Sequence, residues 1–158
     1  YLAVARGIHR PKTGYFLRAE SFYNAASYLD ELRELDSAAL TSYGGVSLHD
    51  QSHGESFLSL VEHRFGAEGL YLLDEPEAAL SPVGQMKLLI RMRDLVRQGS
   101  QFLISTHAPI LMTFPGAQVL ELSGDGIREV AYEETEHFQI TKQFLNAPER
   151  MLRALFED

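Results

Sequence analysis

Cysteine is absent from the 158 residues, which excludes disulfides and thiolate metal sites and fits a reducing, cytoplasmic setting. No apolar run reaches the ~18 residues of a membrane span, so no transmembrane helix is expected. Tyr1–Arg10 lacks the charged start, apolar stretch and small-residue cleavage site of a secretory signal. Basic residues are in the minority: 14 Lys and Arg against 22 Asp and Glu leave a net charge of −8. A duplex-binding face ordinarily carries a basic patch, because phosphate neutralisation dominates that affinity. The short cluster Arg91, Arg93 and Arg97 falls in a helical stretch and reads as a solvated face, so nucleic acid is not advertised. Repeats and low-complexity tracts are missing as well. What remains, 45% hydrophobic and 23% charged, is the composition of a globular domain long enough to bury a core.

Apolar spacing lays out the elements. Tyr15–Arg18 reads as a short strand, and Phe22, Ala25, Ala26, Leu29 and Leu32 recur at helical spacing from Ser21 to about Leu35. Ser42–Leu48, with Gly44–Gly45, reads as a loop. A helix from about Ser52 to Phe65 follows, with Leu58, Val61 and Phe65 on one stripe. Gly69–Leu73 is almost wholly apolar, as expected of a parallel-sheet strand buried on both faces. Ser81 offers an N-cap and Pro82 a first helical residue. Leu88, Met92, Leu95 and Val96 then form a core-facing stripe, and Gly99 stops the helix. Gln101–Ser105 reads as a second buried strand, and Gln118–Leu122 with Arg128–Ala131 as a hairpin around Gly124–Gly126. Two tail helices, about Glu136–Leu145 and Pro148–Phe156, follow, with Asn146 and Glu149 as cap and partner. Strand, long helix and strand in succession make a right-handed crossover, so the class is α/β, with one domain over residues 1–158.

The sharpest chemical feature is the run Leu70–Glu75. A buried strand that ends in two adjacent carboxylates sets both at the carboxyl edge of a parallel sheet, where ligands of open α/β folds bind. Asp74 could hold a Mg²⁺ that bridges nucleotide phosphates, and Glu75 could orient or deprotonate an attacking water. The plainer reading is a pair of acids closing a strand before the turn at Pro76. Ser52 and Glu55 make an ordinary capping box, and a Ser, a small Gly54 and a helix start also suit an anion. His49 and His53 are four apart and would fit a helical metal pair, but Gly44–Gly45 nearby speaks for a loop and against zinc.

Taken in order, these pieces have a family likeness. Asp74-Glu75-Pro76, three residues and then Leu80-Ser81 resemble the Walker B strand and D-loop of ATP-binding cassette (ABC) ATPases. Ser105-Thr106-His107, at the end of a second apolar strand, resembles their switch histidine. Gln51-Ser52-His53-Gly54-Glu55 resembles their signature motif, with Glu in the last place as in the chromosome-maintenance and DNA-repair branch and His53 where Gly is usual. Phe16–Glu20 ends a strand where the family carries its Q-loop, with no Gln there and Glu20 as the candidate metal or water contact. Gly14–Asn24 and Tyr71–Pro82 also resemble soluble bacterial ATPases described only as AAA-family or ABC-type, whose cellular task is generally undefined.

The resemblance implies a P-loop NTPase core of ABC type, a mostly parallel sheet flanked by helices with a C-terminal hairpin and helices. It implies ATP and Mg²⁺ as ligands and a head-to-tail homodimer closing over ATP. Asp74 would support the metal, and Glu75 and His107 would serve hydrolysis. Ser52, Gly54 and Glu55 would meet the γ-phosphate held by the partner subunit, and Ser81 would belong to the D-loop. One part is missing: Gly-x-x-x-x-Gly-Lys-Ser/Thr occurs nowhere. Gly7 through Lys12-Thr13 lacks the second Gly, has Pro11 beside the Lys and precedes a strand. The expectation is therefore a chain that starts after the Walker A segment and is inactive alone. Three other readings stand beside this one: a non-catalytic dimerisation or interaction fragment, the nucleotide-binding subunit of a transporter, and a metal-dependent nuclease using Asp74, Glu75 and His107. Glu55 in place of Gln and the missing Q-loop Gln favour the soluble, non-transport branch.

Overall fold

A computed structural model describes residues 10–20 and 53–157. The expected helix at Ser21–Leu35, the Gly44–Gly45 loop, His49 and Ser52 lie outside these residues. The chain divides into two compact units, Tyr1–Thr106 and His107–Asp158. The first holds β1 (Thr13–Arg18), α1 (His53–Arg64), β2 (Gly69–Asp74), a 3₁₀ turn (Pro76–Ala79), α2 (Pro82–Arg97) and β3 (Gln101–Ser105). The fold is α/β: the three strands form a parallel sheet in the order β1-β2-β3, with β2 at its centre.

Strand order explains which face is covered. Crossovers between parallel strands share one hand, so two steps in the same direction put both connecting helices on one face. That face carries Leu17, Tyr71 and Leu73, all buried, with Phe102 and Ile104 half-buried. Phe65, just past α1, stacks on Tyr71 with ring centroids 4.1 Å apart and tilts against Tyr15 and Phe102. The opposite face carries the row Phe16, Leu72 and Leu103, in register across the sheet. Phe16 and Leu103 are each 62% exposed. Gln101–Ser105 is thus a strand but not a buried one, because the described helices α1 and α2 both pack on the other face.

Local chemistry sets the helix ends. Ser81 Oγ accepts a hydrogen bond from the Gly84 N–H at 3.2 Å, and Pro82 opens α2, as the sequence implies. At the other end Gly99 takes a left-handed φ of 82°. Its N–H donates to Val96 O and that of Ser100 to Leu95 O, both at 3.0 Å, the paired bonds of a Schellman motif. Gly84, Gln85, Leu88, Met92 and Leu95 are buried along α2, whereas Val96 is 42% exposed and lies off the expected stripe. Arg91 Nη2 donates to Glu62 O at 3.0 Å and Phe65 O at 2.8 Å, satisfying carbonyls at the end of α1. Buried Ser100 joins the two strand-entry turns, donating to Gly66 O at 2.9 Å and accepting from Gly69 N at 3.1 Å.

The second unit holds a one-turn α3 (Pro109–Met112), the antiparallel hairpin β4 (Val119–Ser123) and β5 (Gly126–Val130), a 3₁₀ turn (Tyr132–Glu134), α4 (Glu136–Asn146) and α5 (Pro148–Phe156). Thr135 caps α4 by accepting from the Phe138 N–H. Asn146 does not cap α5, contrary to the sequence reading. It is the last residue of α4; the boundary falls on Ala147, which caps α5 without a side-chain bond, and Pro148 starts that helix. Among the described residues no helix is long and apolar enough to cross a membrane.

Candidate functional site

Level strand ends build the site. The register pairs Arg18 with Asp74 and Asp74 with Ser105, so three polar residues share the last row of an otherwise apolar sheet. Arg18 Nε donates to Asp74 Oδ2 at 2.7 Å, with both side chains partly exposed. That hydrogen bond, and then the charge of Asp74, hold the guanidinium above its ordinary value, with smaller contributions from Glu20 and Glu75. One guanidinium therefore sits within the field of three carboxylates at one sheet edge.

Glu75 departs from regular backbone. Its φ of 49° and ψ of 51° place it in the left-handed region, directly before buried Pro76. Such a conformation costs a non-glycine residue about 1–3 kcal/mol and persists where neighbours over-determine it. Here they do: the Glu75 N–H donates to Ser105 O at 2.9 Å, and its carbonyl accepts from the Ala78 N–H at 3.0 Å. The bond to Ser105 extends the β2–β3 ladder by one residue, after which the chain turns. Asp74 is the last residue of regular strand and Glu75 the first beyond it, so the two carboxylates leave the sheet from differently shaped backbone.

The 3₁₀ turn after Glu75 is tied down twice. Thr106 Oγ1 donates to Glu77 Oε2 at 2.7 Å, linking the turn to the exit of β3. From the other side comes the N-terminus of α1, where Glu55 is the first-turn acid. A Cβ at Gly54 would lie 3.2 Å from Ala79 O, so glycine permits that approach. The small residue in the signature-like motif thus has a packing role inside this chain. Ala is the better helix former by as much as about 1 kcal/mol, while overpacking against fixed backbone costs about 1–3 kcal/mol. Gly54→Ala is therefore expected to lower stability by about 1 kcal/mol, read as a lower urea midpoint at unchanged slope. A stabilised variant would show that the turn yields.

Two other expected residues sit as follows. Ser81 Oγ is engaged as the α2 cap. His107 opens the second unit, where its Nδ1 lies 3.0 Å from His137 Nε2 and the rings meet edge-on at 4.7 Å. Such a contact needs one neutral ring to accept the other's N–H. The structure thus brings Glu20, Asp74 and Glu75 to one edge, sets Gly54 and Glu55 beside the turn that follows, and pairs His107 with His137. Sequence reasoning missed Arg18, Glu77, Thr106 and His137 as partners. A signal existed only for Arg18, since a basic residue ending one strand faces an acid ending its neighbour if both stop level.

Asp74 and Glu75 can offer carboxylate oxygens to a divalent cation. Among the described residues no group of three or more His, Asp or Glu is placed to share one. This donor set suits Mg²⁺ that arrives on phosphates and keeps several waters, which commonly needs only one or two protein carboxylates. Comparison with known proteins yields no relative: no protein-family profile, no curated protein and no solved structure matches the chain.

Proposed function

We propose that this chain carries the hydrolytic and partner-facing half of an ABC-type ATPase of P-loop NTPase architecture. The observation that carries the reading is the adjacent pair Asp74 and Glu75 at the carboxyl end of the central strand of a parallel sheet, with Glu75 pinned in a left-handed conformation. In open α/β sheets that edge is where ligands bind. Mg²⁺ supported by Asp74, with Glu20 as a further candidate contact, would neutralise and orient phosphate oxygens. Glu75 would position the attacking water and accept its proton; for His107 the family resemblance alone implies a γ-phosphate contact. Gly54 and Glu55, at the start of α1, together with Ser52 of the same sequence motif, would close over ATP held by a second subunit, and Ser81 follows the turn that packs against that helix start. The phosphate cradle is assigned to residues other than these 158, since no Gly-x-x-x-x-Gly-Lys-Ser/Thr occurs among them.

Calorimetric titration with ATP and Mg²⁺ tests this directly. The chain alone is expected to bind nucleotide weakly or not at all. The same chain extended upstream through a phosphate-loop segment is expected to bind ATP in the micromolar range and to pair in its presence. An extended protein that neither binds nor hydrolyses ATP would sink the proposal.

A further inference from the structure

The candidate site contains a cation of its own, and it sits on the carboxylate that the proposed reaction needs for metal. Arg18 and Asp74 end neighbouring strands in the same register row, so the ladder itself fixes their backbones side by side. The guanidinium Nε donates to Oδ2 at 2.7 Å, a short, charge-assisted bond. Exposed pairs of this kind add little to stability, so the main effect of the bond falls on the availability of the carboxylate.

Resting on the reading that Asp74 supports Mg²⁺, we propose that Arg18 is a positioning residue that keeps Asp74 from taking up a divalent ion until phosphate oxygens arrive with it. The physical chain is short. A metal at Asp74 would stand within a few ångström of the guanidinium, and like charges at that range repel strongly even near a surface. Mg²⁺ also dehydrates reluctantly, so one carboxylate already hydrogen-bonded to arginine offers it little. A nucleotide triphosphate changes both terms. Its negative charge offsets two cations together, and its oxygens give the planar guanidinium acceptors that replace Oδ2. Metal and nucleotide then enter as one unit, and the acids do not hold an idle ion between turnovers.

The test uses the 158-residue chain without nucleotide and Mn²⁺ as the probe, followed by electron paramagnetic resonance of the free ion. The unaltered chain is expected to bind Mn²⁺ weakly. Arg18→Gln removes the competing charge and is expected to tighten Mn²⁺ binding by about tenfold or more, within what removing a unit charge from a few ångström yields. Adding Asp74→Asn should abolish that gain, and Arg18→Lys, which keeps the charge, should stay near the unaltered chain. Circular dichroism melts check that each variant folds, and Arg18→Met repeats the comparison if Gln is poorly tolerated. Unchanged Mn²⁺ affinity in folded Arg18→Gln, or a gain that survives Asp74→Asn, overturns the role given to Arg18. Because no nucleotide is present, these outcomes are separate from the calorimetric test. Absence of the gain in a protein that binds ATP removes Arg18 alone; presence of the gain in one that does not removes the ATPase reading and leaves the Arg18–Asp74 competition standing.

Discussion

Glu75→Gln, in a protein that carries both this chain and a phosphate loop, is expected to slow ATP turnover by about 10²–10⁴-fold, the contribution typical of a positioned general base. Gln preserves side-chain length and shape but replaces the carboxylate with an amide, which cannot accept a proton from water at neutral pH. It should leave ATP binding intact and prolong the ATP-bound dimer, because phosphate loss is what opens it. The backbone supplies a control. Gln meets the same left-handed strain as Glu, so the melting temperature should hardly move. Glu75→Gly relieves that strain, about 1–3 kcal/mol, against about 0.5–1 kcal/mol of extra chain entropy. It should therefore lose activity while gaining a little stability. Wild-type turnover and unaltered ATP-driven pairing in Glu75→Gln would refute the role.

Tyr71→Ala is expected to come close to unfolding the first unit. The ring is fully buried, stacks on Phe65 and packs against Phe102 at 5.2 Å. Truncating a large aromatic to Ala costs about 3–5 kcal/mol. The hydroxyl matters as well, since it donates to Gly66 O at 2.8 Å and accepts from the Gly66 N–H at 2.6 Å. Gly66 O keeps its bond from Ser100 Oγ, but the Gly66 N–H loses its acceptor, which adds about 1–3 kcal/mol. The sum rivals the 5–15 kcal/mol that holds a typical domain together. Tyr71→Phe keeps the stack, loses the two bonds and should cost about 1–3 kcal/mol. The neighbouring Gly69 shares the constraint, because a Cβ there would collide with the Tyr71 ring. Chemical denaturation followed by far-ultraviolet circular dichroism orders the three proteins; a Tyr71→Ala chain as stable as Tyr71→Phe would mean the stack contributes nothing.

Much of the architecture was legible because local chemistry and apolar period agreed. Ser81, Pro82 and Gly99 marked the ends of α2, and the β2–α2–β3 crossover followed from a short apolar run on either side of a helical stripe. The tail helices matched to within a residue, with Asn146 misread because a good capping residue also sits comfortably in a final helical turn. Burial was harder to read. Val96 and Leu103 look like core residues in one dimension, but Val96 lies off the buried stripe of α2, and Leu103 is exposed because strand order puts both described helices on the other face of the sheet. At the candidate site the acids were visible as a motif, but Arg18 was not visible as the partner of Asp74. Their meeting depends on register between strands far apart in sequence, and nothing local encodes that two strands stop level. The strain at Glu75 was equally hidden, since a residue before proline is ordinarily extended.

That same distance along the chain bears on the order of assembly. Gly69 and Ser100, at the start of the β2–β3 pairing, are 31 residues apart, whereas Arg18 and Asp74 are 56 apart. The difference in loop-closure entropy, (3/2)RT ln(56/31), is only about 0.5 kcal/mol, a rate factor near two. Entropy therefore gives the β2–α2–β3 unit a small head start, and the Leu88–Met92–Leu95 stripe that docks with it supplies the larger one. The acid edge forms with that nucleus as Asp74, Glu75 and Ser105 align. On this order of assembly Arg18 is expected to reach it afterwards, with β1, so that a folding chain would carry its acids unneutralised before the first strand docks.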